Sequence, residues 1–252
     1  MGKTTESVKR FHIFSIFPPM LSGPMEHSII KRAIDKELID IKIHDVREHT
    51  NNKHKSVDDY QYGGGSGMVL KPEPVFAAVE SVQELYKGDM RNEMPVILLS
   101  PQGRTFNQSV ANELSKKPGL LLICGRYEGV DERIRTNLAT DDISIGDYVL
   151  SGGELAAMVV LESVARLVPG VVGSAESICT DSFANGMLQH PVYTRPEKFR
   201  EWAVPSVLLS GDHGCVEKWR NEQAELRTRQ WRPDLLRDEK QFKERDGWFR
   251  RF

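Results

Sequence analysis

The sequence predicts an α/β domain built on a mostly parallel sheet, followed by a small helical module. Three observations carry that prediction. Short apolar runs bounded by glycine or proline recur, as in strands buried on both faces; helical segments alternate with them; and the texture changes after Gly170.

The first strand is expected at "FHIFSIFP" (Phe11 to Pro18), after a polar leader. Pro24 to Leu38 reads as one helix. In "IDIKIHDV", Ile39, Ile41 and Ile43 alternate with Asp40, Lys42 and His44, the period of two that marks a half-buried strand. "PVILLS" (Pro95 to Ser100), "GLLLICG" (Gly119 to Gly125) and "ISIGDYVL" (Ile143 to Leu150) are the remaining strand candidates. Ser151 and Glu154 have the spacing of a capping box, so a helix is expected from that loop until Pro169 and Gly170 stop it. Residues 173–190 are small and polar with neither period and read as a linker. Beyond it lies an aromatic, basic segment with a helix over Gly214 to Pro233; from Pro191 to Phe252 there are 14 Lys plus Arg against 11 Asp plus Glu, a net of +3.

Composition narrows the function. The chain has 252 residues, 39% apolar and 28% charged, with 34 Lys plus Arg against 36 Asp plus Glu. The net charge of -2 gives no whole-chain sign of nucleic-acid binding, so any basic surface must be local. The longest apolar runs, such as Leu155 to Leu161, fall far short of the roughly 18 residues that span a bilayer, and no signal sequence opens the chain. A cytoplasmic protein without membrane contact is expected. Three cysteines without a C-x-x-C pair argue for reduced thiols, and the seven histidines show no metal-ligand spacing.

Three strands end in glycine-bearing turns: "SPQG" (Ser100 to Gly103), "GRYEG" (Gly125 to Gly129) and "LSGGE" (Leu150 to Glu154). Ligands of parallel α/β sheets gather at such strand ends, so three turns on one sheet edge would line a shared pocket. Paired glycines between a strand and a helix read either as a tight turn or as a phosphate cradle. From Thr136 to Ala165 there is no Lys or Arg, while Asp141, Asp142, Asp147, Glu154 and Glu162 are acidic, so a neutral or cationic ligand fits better than a polyanion. S-adenosylmethionine, with its adenine ring and sulfonium, satisfies that description. "YGGGSGM" (Tyr62 to Met68) reads either as a surface loop or as a mobile wall of the site.

"LLSPQG", "GRYEGVDERI", "SIGDYVLSGGELAAM" and "DSFANGMLQHPVYTRP", in this order, closely resemble the bacterial tRNA (guanine-N1)-methyltransferases. The resemblance implies a SPOUT-class fold, a mostly parallel α/β sheet tied in a deep trefoil knot, with a small C-terminal helical domain. It divides the chain into a catalytic domain at 1–172 with a leader at 1–10, the linker at 173–190 and a tRNA-binding domain at 191–252. It implies methyl transfer from S-adenosylmethionine to N1 of the guanosine at tRNA position 37, immediately 3′ of the anticodon, by a homodimer with its site at the subunit interface. Carried over residue by residue, it places Leu99, Ser100, Pro101, Gln102, Gly125, Tyr127, Glu128, Ile145, Gly146, Tyr148, Leu150, Gly152 and Gly153 around the cofactor, glycine standing where a side chain would displace the ligand.

Guanine N1 is protonated at neutral pH, so its attack on a methyl group needs a base, and positive charge must meet the negative charge developing on O6. By resemblance the base is Asp181 and the cation Arg166. Taken alone, Asp181 in "TDSFANG" reads as a helix N-cap and Arg166 as a complement to a helix dipole. The family also implies Mg²⁺, for which Glu128 and Asp181 are the candidate carboxylates. Arg195, Lys198, Arg200, Trp202, Trp219 and Arg220 would grip tRNA. This chain reads Tyr60-Gln61 where the family usually has Arg-Pro before the glycine loop. The rival readings are a non-catalytic RNA-binding knot protein and a SPOUT enzyme acting on another RNA position.

Overall fold

The computed structural model describes residues 8–86, 88–173 and 179–236. Most of the expected leader, residues 1–7, and the end of the C-terminal domain, residues 237–252, lie outside the described residues, as do 174–178 of the linker. The chain forms two compact units, Met1–Gly173 and Ser174–Phe252.

The first unit is a five-stranded parallel sheet in the order β2-β1-β6-β5-β7, made of β1 (Lys9–Ser15), β2 (Ile39–Asp45), β5 (Val96–Thr105), β6 (Gly119–Cys124) and β7 (Asp141–Ser144). Alternation along each strand sorts side chains onto two faces. Phe11, Ile13, Ile97, Leu99, Leu120 and Leu122 pack on one side, beneath α1 (Pro19–Met25), α2 (Ser28–Asp35), α5 (Gln108–Ser115) and α7 (Glu154–Ala165). Phe14, Val96, Leu98, Leu121 and Ile123 pack on the other, beneath α3 (Pro72–Gln83) and α6 (Glu132–Asn137). Every residue of β6 is buried, which explains its continuous apolar run. Lys9, buried at the opposite end of the sheet from the glycine turns, donates to the carbonyls of Leu114 (2.6 Å) and Ser115 (3.2 Å) and so caps α5. A short α4 (Asp89–Glu93) leads into β5, and a separate hairpin, β3 (Asp58–Tyr60) with β4 (Met68–Leu70), carries the glycine cluster.

Four expectations change. The helix over Pro24 to Leu38 is two helices, broken at Glu26–His27, with Ser28 in the left-handed region at φ 57°. The strand over Ile143 to Leu150 is β7, ending at Ser144. Gly146, at φ 144°, turns the chain away, and Tyr148 to Leu150 are exposed. The strand from Pro95 continues to Thr105 but pairs with Ile143 twice, through Leu99 and again through Arg104, extruding Ser100 to Gly103 between. The capping box is absent: Gly153 is the N-cap of α7 without a side-chain bond, Glu154 is buried, and the helix stops at Ala165 rather than Pro169.

In the second unit, β8 (Lys198–Phe199) and β9 (Trp202–Ala203) form a small hairpin, and α8 (His213–Trp231) is capped by the Asp212 carboxylate, which accepts from the Cys215 N–H at 3.0 Å. Thr228 fixes the returning chain to α8 by accepting from the Leu188 N–H at 2.9 Å.

Candidate functional site

The turns that follow β5, β6 and β7 meet at one edge of the sheet around a cavity of about 370 Å³. Each gets there for a local reason. Ser100–Gly103 loop out between the two pairings of β5 with β7, and because a side chain on Gly103 would stand 2.3 Å from the Asp142 carbonyl carbon, glycine there lets β5 rejoin β7. The 125–129 turn places Tyr127 at φ 63°, an unusual backbone for a non-glycine residue, and holds it by a bridge to Val69. The Glu128 N–H donates to the Met68 carbonyl at 3.0 Å, so the glycine hairpin leans on this wall, and a side chain on Gly67 would strike Glu128.

The paired glycines of the third turn are explained by other chain segments. A Cβ on Gly153 would lie 2.8 Å from Cys124 Cα and 3.1 Å from the Gly125 nitrogen, and the Gly153 N–H donates to the Gly125 carbonyl at 2.9 Å. A Cβ on Gly152 would lie 2.4 Å from Arg126 Nε and 2.5 Å from Glu154 Oε2. At 152 and 153 glycine thus lets two pocket walls touch, whatever room it also leaves for a ligand. A side chain on Gly146 would strike the Tyr148 ring at 2.5 Å.

All thirteen residues expected around a cofactor, from Leu99 to Gly153, line this cavity. Sequence reasoning passed over Arg126 and Arg135, which line it too. That corrects the charge argument: the cation-free stretch begins one residue after Arg135. Both guanidiniums are matched by carboxylates, Arg135 by Asp142 and Glu132 and Arg126 by Glu154 at 3.4 Å. Arg135 also donates to the Ser100 hydroxyl at 3.3 Å, tying the first turn to α6. Apolar wall comes from Leu99, Val130, Ile143, Ile145 and Ala156. Burial, reinforced by the nearby Glu154 carboxylate, pushes the Cys124 thiol well above its usual range, which makes it packing rather than a nucleophile.

Arg166 is the half-buried C-cap of α7, its N–H donating to the Glu162 carbonyl at 3.0 Å. Asp181 belongs to the second unit, where it follows helical residues 179–180 and opens a turn; its carbonyl accepts from the Ala184 N–H at 3.2 Å and Phe183 sits at φ 73°. Among the described residues no helix starts from Asp181, so the N-cap alternative does not apply. No group of three or more His, Cys, Asp or Glu able to hold a metal occurs among the described residues. Nor is any helix there long and apolar enough to cross a membrane.

A parallel α/β sheet whose strand-end turns close on one pocket belongs to the class of domains that gather ligands at the carboxyl ends of their strands. The family model described as tRNA (Guanine-1)-methyltransferase TrmD matches residues 9–238, and the chain belongs to that family. Among its relatives are proteins named tRNA (guanine-N(1)-)-methyltransferase from Dehalococcoides mccartyi, 56% identical over 227 residues and 90% of each chain, and from Moorella thermoacetica, 52% identical over 227 residues and 90% of each. A third, so named from Staphylococcus haemolyticus, is 51% identical over 222 residues, 88% of each chain.

Proposed function

We propose that this protein transfers the methyl group of S-adenosylmethionine to N1 of the guanosine at tRNA position 37, acting in the cytoplasm as a homodimer. The observation that carries the proposal is the convergence of three separate glycine turns on one cavity in a chain of this family. The cavity fits the cofactor: about 370 Å³ lies within the range of small-molecule sites. Its apolar wall suits an adenine face, and turn backbone supplies donors and acceptors. The thirteen residues from Leu99 to Gly153 would hold it, and in this reading the turns are crossings of the trefoil knot that the motifs imply.

Bound there, S-adenosylmethionine supplies an electrophilic methyl group on a sulfonium. Asp181 takes the proton from guanine N1, freeing the nitrogen lone pair for attack. Arg166 offsets the negative charge that moves onto O6, a contribution that grows toward the transition state. In this reading the incoming RNA completes the catalytic site, so the reaction waits for the correct tRNA. The guanine must leave its stack to be reached. In the second unit, Arg195, Lys198, Arg200, Trp202, Trp219 and Arg220 supply cations and rings for the RNA.

Magnesium is proposed as a requirement of the reaction, with Glu128 and Asp181 the candidate carboxylates that the motifs suggest. Mg²⁺ keeps most of its waters and takes one or two carboxylates with substrate oxygens, so a sparse donor set is compatible with it. The proton transfer to Asp181 is derived without the ion. The homodimer is supported by apolar side chains exposed beside the pocket: Val149 at 91%, Leu155 at 54% and Val159 at 44%, the last two one turn apart on α7.

Nucleoside analysis of unmodified tRNA incubated with the protein and S-adenosylmethionine tests the proposal. Accumulation of 1-methylguanosine supports it; a methylated ribose, or methylation of another base, overturns it.

A further inference from the structure

Glu154 is the first residue of α7 and only 1% exposed, yet neither the expected chemistry nor a helix cap uses it. A carboxylate buried this deeply is costly unless it is held by partners. Two are present. Oε1 accepts from the Ser15 hydroxyl at 2.7 Å, at the end of β1, and the Ser15 oxygen itself accepts from the Phe17 N–H at 2.9 Å. Oε2 faces Arg126 Nε at 3.4 Å, and both atoms are buried with no hydrogen bond of their own.

Arg126 is gripped on its other sides. Its guanidinium lies 4.5 Å from the centre of the Phe17 ring, and Nη2 is 3.0 Å from Met20 Sδ. The Arg126 backbone bridges Gly152. The ion pair fills the space that a Gly152 side chain would need, with Arg126 Nε 2.4 Å and Glu154 Oε2 2.5 Å from its Cβ position. The pair thus lies beneath the contact between two of the three pocket walls. A buried ion pair is a poor way to gain stability, since well-packed apolar groups often do as well, but it fixes geometry sharply.

We propose that Glu154 is a positioning residue. Anchored by Ser15, its carboxylate clamps Arg126 against the 150–153 turn, and so holds the 125–129 and 150–153 walls at the spacing that binds the cofactor. The inference rests on the pocket being the S-adenosylmethionine site.

The test is isothermal titration of S-adenosylmethionine into wild type, Glu154→Gln, Ser15→Ala and the double variant Glu154→Gln/Arg126→Gln, with thermal midpoints and steady-state kinetics alongside. Glutamine keeps the volume and can still accept from Ser15, but leaves Arg126 without an anion. The expected result is cofactor affinity lowered about tenfold or more in Glu154→Gln and several-fold in Ser15→Ala, as for loss of supporting partners behind a binding site. kcat at saturating cofactor and KM for tRNA should stay within about threefold. In the double variant the thermal midpoint recovers, because no buried charge is left unpaired, while the affinity stays low. Affinity that recovers together with the midpoint would make the pair merely structural and overturn the proposal. Affinity unchanged in both single variants would overturn it while leaving the pocket assignment intact; wild type that fails to bind S-adenosylmethionine would overturn both.

Discussion

Replacing Gly153 by alanine drives a methyl group into the backbone of β6. The new carbon would stand 2.8 Å from Cys124 Cα, 3.1 Å from the Gly125 nitrogen and 3.2 Å from Cys124 Cβ, and ordinary contact begins at 3.4 Å. The smallest relieving shift is 3.4 minus 2.8, or 0.6 Å. Cys124 ends a strand buried along its whole length, so the start of α7 must move instead. That movement stretches the Gly153 N–H to Gly125 carbonyl bond from 2.9 Å to the edge of hydrogen bonding. Overpacking of this kind costs about 1–3 kcal/mol. For a chain of this size each kcal/mol lowers the thermal midpoint by about 2–4 °C, so a fall of several degrees is expected. The same shift opens the pocket between two walls, and cofactor affinity should fall by about tenfold or more. Gly153 has an ordinary backbone at φ -80°, so the effect is steric rather than conformational. Gly214 in α8 is the control: the one neighbour close to its Cβ position, Asp212 Oδ1, lies at an ordinary contact distance of 3.4 Å, and alanine there should stabilise by about 0.5–1 kcal/mol. Calorimetry and cofactor titration of both variants decide the matter. A Gly153→Ala protein with wild-type midpoint and affinity would refute the account of why the turn carries glycine.

Three further outcomes are expected. Burial, with help from His44, Lys42 and Arg10, lowers the His12 imidazole from 6.5 to about 4. The unfolded chain then takes the proton first, so stability is constant above about pH 6.5 and is lost as the pH falls toward 4; thermal midpoints from pH 8 to 4.5 should trace that fall, and a flat profile would contradict it. Arg200 lies over the exposed rings of Phe199 and Trp202, at 5.3 and 5.9 Å, so Trp202→Ala should raise KM for tRNA about tenfold and leave cofactor affinity unchanged; an unaltered KM would remove this hairpin from the RNA surface. Arg166→Ala should lower kcat by about 10²–10³ while the pocket still binds S-adenosylmethionine, and wild-type turnover would remove Arg166 from the chemistry.

Much of this was legible in the sequence where burial is uniform. The apolar runs at β1, β5 and β6 mark strands covered on both faces, and the three turns could be read as one pocket because each is a contiguous motif at a strand end. The errors have physical causes. The run Ile143 to Leu150 looks like one strand because Ile143, Ile145, Tyr148, Val149 and Leu150 are strand-forming apolar residues, but Gly146 bends the chain, and Tyr148 to Leu150 are exposed. Glu154 has the spacing of a capping residue yet turns inward to Ser15 and Arg126, which no local pattern reveals. Arg135 reaches the pocket from α6, outside the glycine turns, and so escaped a charge count confined to the third turn and its flanks. The division of labour between Gly152, which yields to an ion pair, and Gly153, which yields to a strand, depends on residues distant in sequence.

The central claim is that Asp181 prepares guanine N1 at position 37 for methylation by the cofactor in the three-turn pocket. The most direct test supplies labelled S-adenosylmethionine and unmodified tRNA transcripts with either guanosine or adenosine at that position, to wild type and to Asp181→Ala in parallel. Label entering only the guanosine transcript with the wild-type protein, while Asp181→Ala still binds cofactor, is the predicted result. Equal labelling of both transcripts, or full activity without the Asp181 carboxylate, would contradict it.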